Sequence, residues 1–188
     1  MRYLFILFLL ISLNSYCEEV KEISINAPEN WPKEIIKLPP GFAPDMKFRG
    51  TEDIRFAPGM FKPDAKDFFT YVFLLAGKYG DTLDKKSIES EILTYYKGLG
   101  KAVGGKKFNI DPEKFSIDLE SKDGKKFTGV LKWIEPFRTG KPQTLNLEIT
   151  VWNGKEKQFL FALVSPAKKD SEVWKDLKSI QSKLTIKK

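Results

Sequence analysis

The sequence predicts an α+β domain: a mostly antiparallel sheet, largely a meander, covered by two amphipathic helices. Three observations carry this. Apolar and polar residues alternate with period two between Phe115 and Val151. Two stripes at helical spacing, Ile88–Leu99 and Val173–Leu184, lie on either side of that stretch. Two runs apolar throughout, residues 68–76 and 159–164, have the composition of strands covered on both faces.

Residues 1–17 are set aside first. Arg2 precedes an apolar run from Tyr3 to Leu13, well short of the roughly 20 residues needed to span a bilayer, so the segment reads as an export signal. Cys17 leaves two processing routes open. Signal peptidase can cut after it, with small Ser15 and Cys17 at the positions that prefer small side chains, or Cys17 is the lipid-modified first residue of a lipoprotein. Bulky Tyr16 favours the first route, and the position of the only cysteine at the end of the apolar run favours the second. Either route exports the chain to the periplasm or cell envelope, with a membrane link only through a lipid on Cys17.

Residues 18–66 form a Pro-rich extended segment expected to pack on the domain formed by residues 67–188. Ala27-Pro28, Trp31-Pro32, Leu38-Pro39-Pro40-Gly41 and Ala57-Pro58-Gly59 divide it into short extended pieces, the better strand candidate being Phe48–Phe56. The run Phe68–Ala76 is a central strand ended by Gly77 and Gly80. A helix follows from Asp84 to Leu99, with Ile88, Ile92, Tyr95, Tyr96 and Leu99 on one stripe, Thr82 or Asp84 as cap, and Gly98, Gly100 and Gly104-Gly105 as its stop. Phe115, Ile117 and Leu119 alternate with Ser116, Asp118 and Glu120, and Asp123-Gly124 signals a tight primed hairpin turn into a strand over 126–134. Leu145, Leu147, Ile149 and Val151 alternate cleanly, Asn153-Gly154 turns the chain, and Phe159–Val164 is the second central strand. The last helix opens at Asp170 or Ser171 and buries Val173, Trp174, Leu177, Ile180 and Leu184, with acids at its start and lysines at its end as the macrodipole prefers.

The motifs Leu38-Pro39-Pro40-Gly41-Phe42-Ala43-Pro44 and Gly50-Thr51-Glu52-Asp53-Ile54-Arg55-Phe56-Ala57-Pro58-Gly59-Met60-Phe61 resemble those of a family of exported bacterial proteins of unassigned function. That resemblance implies export and no activity. At fold level, the closing strand, Ser165-Pro166 and helix are similar to the PsbP-like α/β/α sandwich proteins, which implies a non-catalytic binding or assembly module.

Composition excludes much of enzyme chemistry. The 188 residues include no His, so no Ser-His-Asp or Cys-His arrangement and no histidine-bound zinc can form, and the one Cys lies in the export segment. No cofactor or metal is expected: Asp111, Glu113, Asp118 and Glu120 match no calcium-loop spacing, and Gly100, Gly104 and Gly105 follow a helix instead of opening one. The formal charge of +7 comes from 32 Lys and Arg against 25 Asp and Glu, but only four cations are Arg, and they are scattered, which argues against nucleic acid as a partner.

The densest polar cluster is Asp45, Lys47, Arg49, Glu52, Asp53 and Arg55. Asp45, Arg49, Glu52, Asp53 and Arg55 are the candidate ligand-binding residues, for a small anionic ligand or an envelope protein; the competing reading has the arginines locking an irregular segment onto the sheet. No catalytic residue is assigned. Paired carboxylates also admit a hydrolase acting on glycans or esters. Of the tryptophans, Trp133 and Trp174 read as core, while Trp31 and Trp152 stand beside turns where an exposed ring could line a cleft.

Overall fold

The computed structural model describes residues 20–188. The Cys17 expectation lies outside them. Seven strands form one antiparallel sheet: β2 (Lys33–Leu38), β3 (Arg49–Phe56), β4 (Tyr71–Lys78), β5 (Ser116–Ser121), β6 (Lys126–Ile134), β7 (Pro142–Asn153) and β8 (Gln158–Ser165). Their spatial order is β2-β3-β4-β8-β7-β6-β5. Two meanders, β2-β3-β4 and β5-β6-β7-β8, thus meet where β4 pairs with β8. These central strands are the two apolar runs of the sequence. Helix α1 (Lys85–Phe108) lies against one face and α2 (Glu172–Ser182) against the other. A separate ribbon pairs β1 (Glu22–Ser24) with β9 (Thr185–Lys187).

The period-two pattern sorts the core. Leu145, Leu147, Ile149 and Val151 join Ile88, Ile92 and Tyr96 of α1 in one cluster. Val72, Leu74, Phe161 and Leu163 join Val173, Trp174, Leu177 and Ile180 of α2 in a second. The Pro-rich front segment contributes β1, β2 and β3, so both ribbon and sheet depend on it.

Four local expectations are corrected. The first helix does not stop at Gly98; it continues to Phe108 and ends at Asn109, which adopts the left-handed conformation (φ 50°). Three of its four glycines are there for close approach. A Cβ on Gly98 would sit 2.2 Å from the Phe42 carbonyl oxygen, one on Gly100 2.7 Å from the Phe115 ring, and one on Gly104 2.5 Å from Ile110. The start of the helix is as expected: Asp84 and Ser87 cap each other reciprocally, the Ser87 N–H donating to Asp84 at 2.8 Å.

The central strand begins at Tyr71, not Phe68, because Phe69 is in the left-handed region (φ 51°) and cannot continue a ladder. Its buried ring packs on Trp133, 5.0 Å between centroids. The Asp123-Gly124 turn is a three-residue loop with Gly124 alone at positive φ, closed by Lys122 N–H donating to the Lys126 carbonyl at 2.9 Å. Trp31 is buried against the α2 cluster, not exposed.

Candidate functional site

The pleat divides the polar cluster of the front segment. In β3, Glu52 and Ile54 share a face with Phe73 and Leu75 of β4, while Asp53 and Arg55 point to the face of Val72 and Leu74. Arg55 is engaged locally: it pairs with the Asp53 carboxylate and donates to the Ile54 carbonyl at 2.9 Å. Arg49 donates to the carbonyls of Met46 and Phe48, and Asp45 is exposed. These five residues do not converge on one cleft.

Glu52 stands apart. Among the described residues three carboxylates are buried, and two of them bind backbone amides: Glu91 accepts from Lys47 and Phe48 N–H at 2.8 and 3.2 Å, and Glu135 accepts from Phe137, Arg138 and Thr139 N–H at 2.6–3.1 Å. Glu52 is 1% exposed and has no such amides. Its Oε2 has no hydrogen-bond partner among the described residues. Burial pushes its pKa up to about 8 against the opposing hydrogen bond from Tyr95. Next to it, burial also raises the Tyr95, Tyr96 and Tyr71 phenols, and the Tyr71 and Tyr96 hydroxyls are hydrogen-bonded to each other. Sequence parity could have found this residue, since Glu52 alternates in phase with Ile54.

The clefts lie elsewhere. Helix α2 packs over β8 and reaches β7 through Lys178 and Gln181, leaving a step between helix and sheet. A groove of about 520 Å³ fills that step. Even-numbered residues of β7 (Glu148, Thr150, Trp152) supply one wall, Lys178, Gln181 and Ser182 supply the other at i, i+3 and i+4 of the helix, and Leu184 and Ile186 close the end. Lys122 and Lys126 line the side nearest the β5–β6 loop. Lys178 is paired with Glu148, which Lys169 also approaches at 3.9 Å. Among the described residues, no carboxylate forms an ion pair with Lys122 or Lys126; Asp123 is close by, held low chiefly by the backbone N–H groups of Lys125 and Lys126 and in smaller part by the charges of those two lysines. Gln181 donates to the Thr150 hydroxyl at 3.4 Å.

A second cleft, about 540 Å³, flanks α2 on its other side and is lined by Trp31, Asn26, Asp176 and Lys183, with charge balanced. Two more open beside the C-terminal end of α1 and between the β4 and β7 ends. Each of these four clefts has one carboxylate in its lining: Glu148, Asp176, Asp111 and Asp81. Glu52 lines none of them. Among the described residues, no group of three or more His, Cys, Asp and Glu could hold a metal ion, and no helix is long and apolar enough to cross a membrane.

The fold thus defines an α+β protein with one helix on each face of a seven-stranded antiparallel sheet. No family model matches the chain, and no curated protein matches it. Among solved structures it has a distant likeness to LpqN of Mycobacterium tuberculosis, described as involved in cell envelope biogenesis, at 13% identity over 92% of this chain and 88% of that one, with a TM-score of 0.36. That likeness bears on neither ligand nor activity here.

Proposed function

We propose that this chain is a non-enzymatic binding module of the cell envelope that seats a small anionic ligand with an apolar part in the groove between α2 and β7. The export-type leader read from residues 1–17 supports the compartment. The observation that carries the ligand class is the groove lining: three lysines against one carboxylate, together with the apolar surface of Trp152 in one wall and of Leu184 and Ile186 at the end. Polar groups set beside apolar surface are how a small-molecule site fixes the orientation of its ligand. Lys122 and Lys126 supply ammonium donors that no carboxylate holds in an ion pair among the described residues, and Trp152 supplies a rigid face. A carboxylate-dependent hydrolase has less support. It requires two carboxyl groups roughly 5–9.5 Å apart on one substrate, and each cleft described above has one.

The test is calorimetric titration with naphthalene-1-sulfonate. The wild type binds; Lys126→Glu weakens binding roughly tenfold or more by turning an attraction into a repulsion. Trp152→Ala also weakens it, and Lys101→Glu on α1 leaves it unchanged. Equal binding by all four proteins, or none by any, overturns the reading.

A further inference from the structure

The β1–β9 ribbon borders the same groove through Ile186. Val20 packs against the α2-side cluster, Lys21 N–H donates to the Lys187 carbonyl at 2.9 Å, and Ile23 pairs with Ile186. Ile186 lines the groove and is 41% exposed, one of few large apolar side chains that face solvent. The loops joining β5 to β6 and β7 to β8 lie at this end of the sheet too, because Lys126 pairs with Thr150 and Asn153 with Gln158. They carry Lys122, Lys125, Lys126, Lys155 and Lys157, and the charge of Lys157 reaches Glu22 of the ribbon.

The carboxylates at this end are largely engaged. Glu22 is bonded to Lys187, Asp123 accepts from the backbone N–H groups of Lys125 and Lys126, and Glu148 holds Lys178. Asp81 and Glu156 balance Lys155 and Lys157 around the β7–β8 loop, so the lysine excess lies at the β5–β6 loop, where Lys122, Lys125 and Lys126 stand against Glu120 and Asp123.

We propose that this end of the molecule docks on an anionic lipid bilayer, with Lys122, Lys125 and Lys126 against headgroup phosphates and Ile186 at the interface. The inference rests on the anion-binding reading of the groove and names its source as membrane lipid. Charge complementarity selects the occupant: lysines clustered at a surface are drawn to anionic leaflets, and their stems lie along apolar ground while the ammonium groups stay wet.

The experiment is vesicle flotation with the chain beginning at Glu18, since both core clusters are built from residues 20–188. Vesicles are phosphatidylcholine alone or mixed with phosphatidylglycerol. The wild type floats with the mixed vesicles only, and high salt releases it. Lys122→Glu/Lys126→Glu lowers the bound fraction at least tenfold, because two attractions to the anionic leaflet become repulsions. Lys101→Glu/Lys106→Glu on α1, with the same change in net charge, leaves flotation intact. Equal loss in both double variants would assign the effect to net charge and overturn the docking face. Absence of flotation alongside retained naphthalene-1-sulfonate binding would overturn the membrane inference alone; loss of both would overturn the groove reading with it.

Discussion

Replacing Glu52 by Gln should stabilise the protein, and the size of the gain should depend on pH. The side chain is 1% exposed, and its pKa is pushed up to about 8 from 4.5 by burial. Below pH 4.5 the carboxyl is protonated in folded and unfolded chains alike and contributes no pH dependence. Between about 4.5 and 8 the unfolded chain gives up the proton while the folded chain keeps it, so stability falls as pH rises, by about 1.4 kcal/mol per unit. At pH 7 the accumulated loss is about 3 kcal/mol, and above pH 8 it levels off. The amide of the Glu52→Gln variant has nearly the same shape, keeps a partner for the Tyr95 hydroxyl and has no proton to lose. Urea unfolding of both proteins, followed by tryptophan fluorescence from pH 4.5 to 8.5, reads the difference directly. The curves should coincide within about 1 kcal/mol at the acid end and separate to about 3 kcal/mol at neutrality. Parallel curves across the whole range, or a variant weaker than wild type at pH 8, would refute the claim that this carboxyl is held neutral.

Further outcomes follow from packing. Gly98→Ala should cost about 1–3 kcal/mol, despite the helix propensity of alanine, because its Cβ meets the Phe42 carbonyl oxygen at 2.2 Å. Gly105→Ala, whose Cβ meets only Lys101 at 3.8 Å, should instead raise stability by up to about 1 kcal/mol; thermal midpoints of the pair check the opposite signs. Glu135→Ala leaves the N–H groups of Phe137, Arg138 and Thr139 without their acceptor and should cost about 3 kcal/mol or more in urea unfolding. Hydrogen exchange in that variant should quicken first over residues 135–141.

Much of the fold was legible because alternation and helical stripes are local. Leu145 to Val151 alternates where β7 is, Asp84 caps α1, and Val173 to Ile180 faces the sheet. What was missed depends on distant partners. The glycines of α1 read as stops, yet they answer to Phe42, Phe115 and Pro136, which no window around Gly100 contains. The β1–β9 ribbon joins Glu22 to Lys187 through three residue pairs, too short to leave a pattern. The front-segment cluster looked continuous in the chain, but the pleat sends Glu52 to one face and Arg55 to the other, a division that parity with Ile54 does encode. The groove itself was not legible, since it exists only because α2 covers β8 and stops short of β6. Trp152 was its one advance signal, as a tryptophan beside a turn; Trp31, with the same signal, is buried.

The central claim is that this protein recognises an anion at the step between α2 and β7. Amide chemical shifts recorded while naphthalene-1-sulfonate is titrated into ¹⁵N-labelled protein locate binding residue by residue. Saturable shifts confined to Lys122–Thr128, Glu148–Trp152 and Lys178–Ile186 would bear the account out. Shifts gathered instead around Asp45–Arg55, or spread without saturation over every lysine-bearing surface, would contradict it.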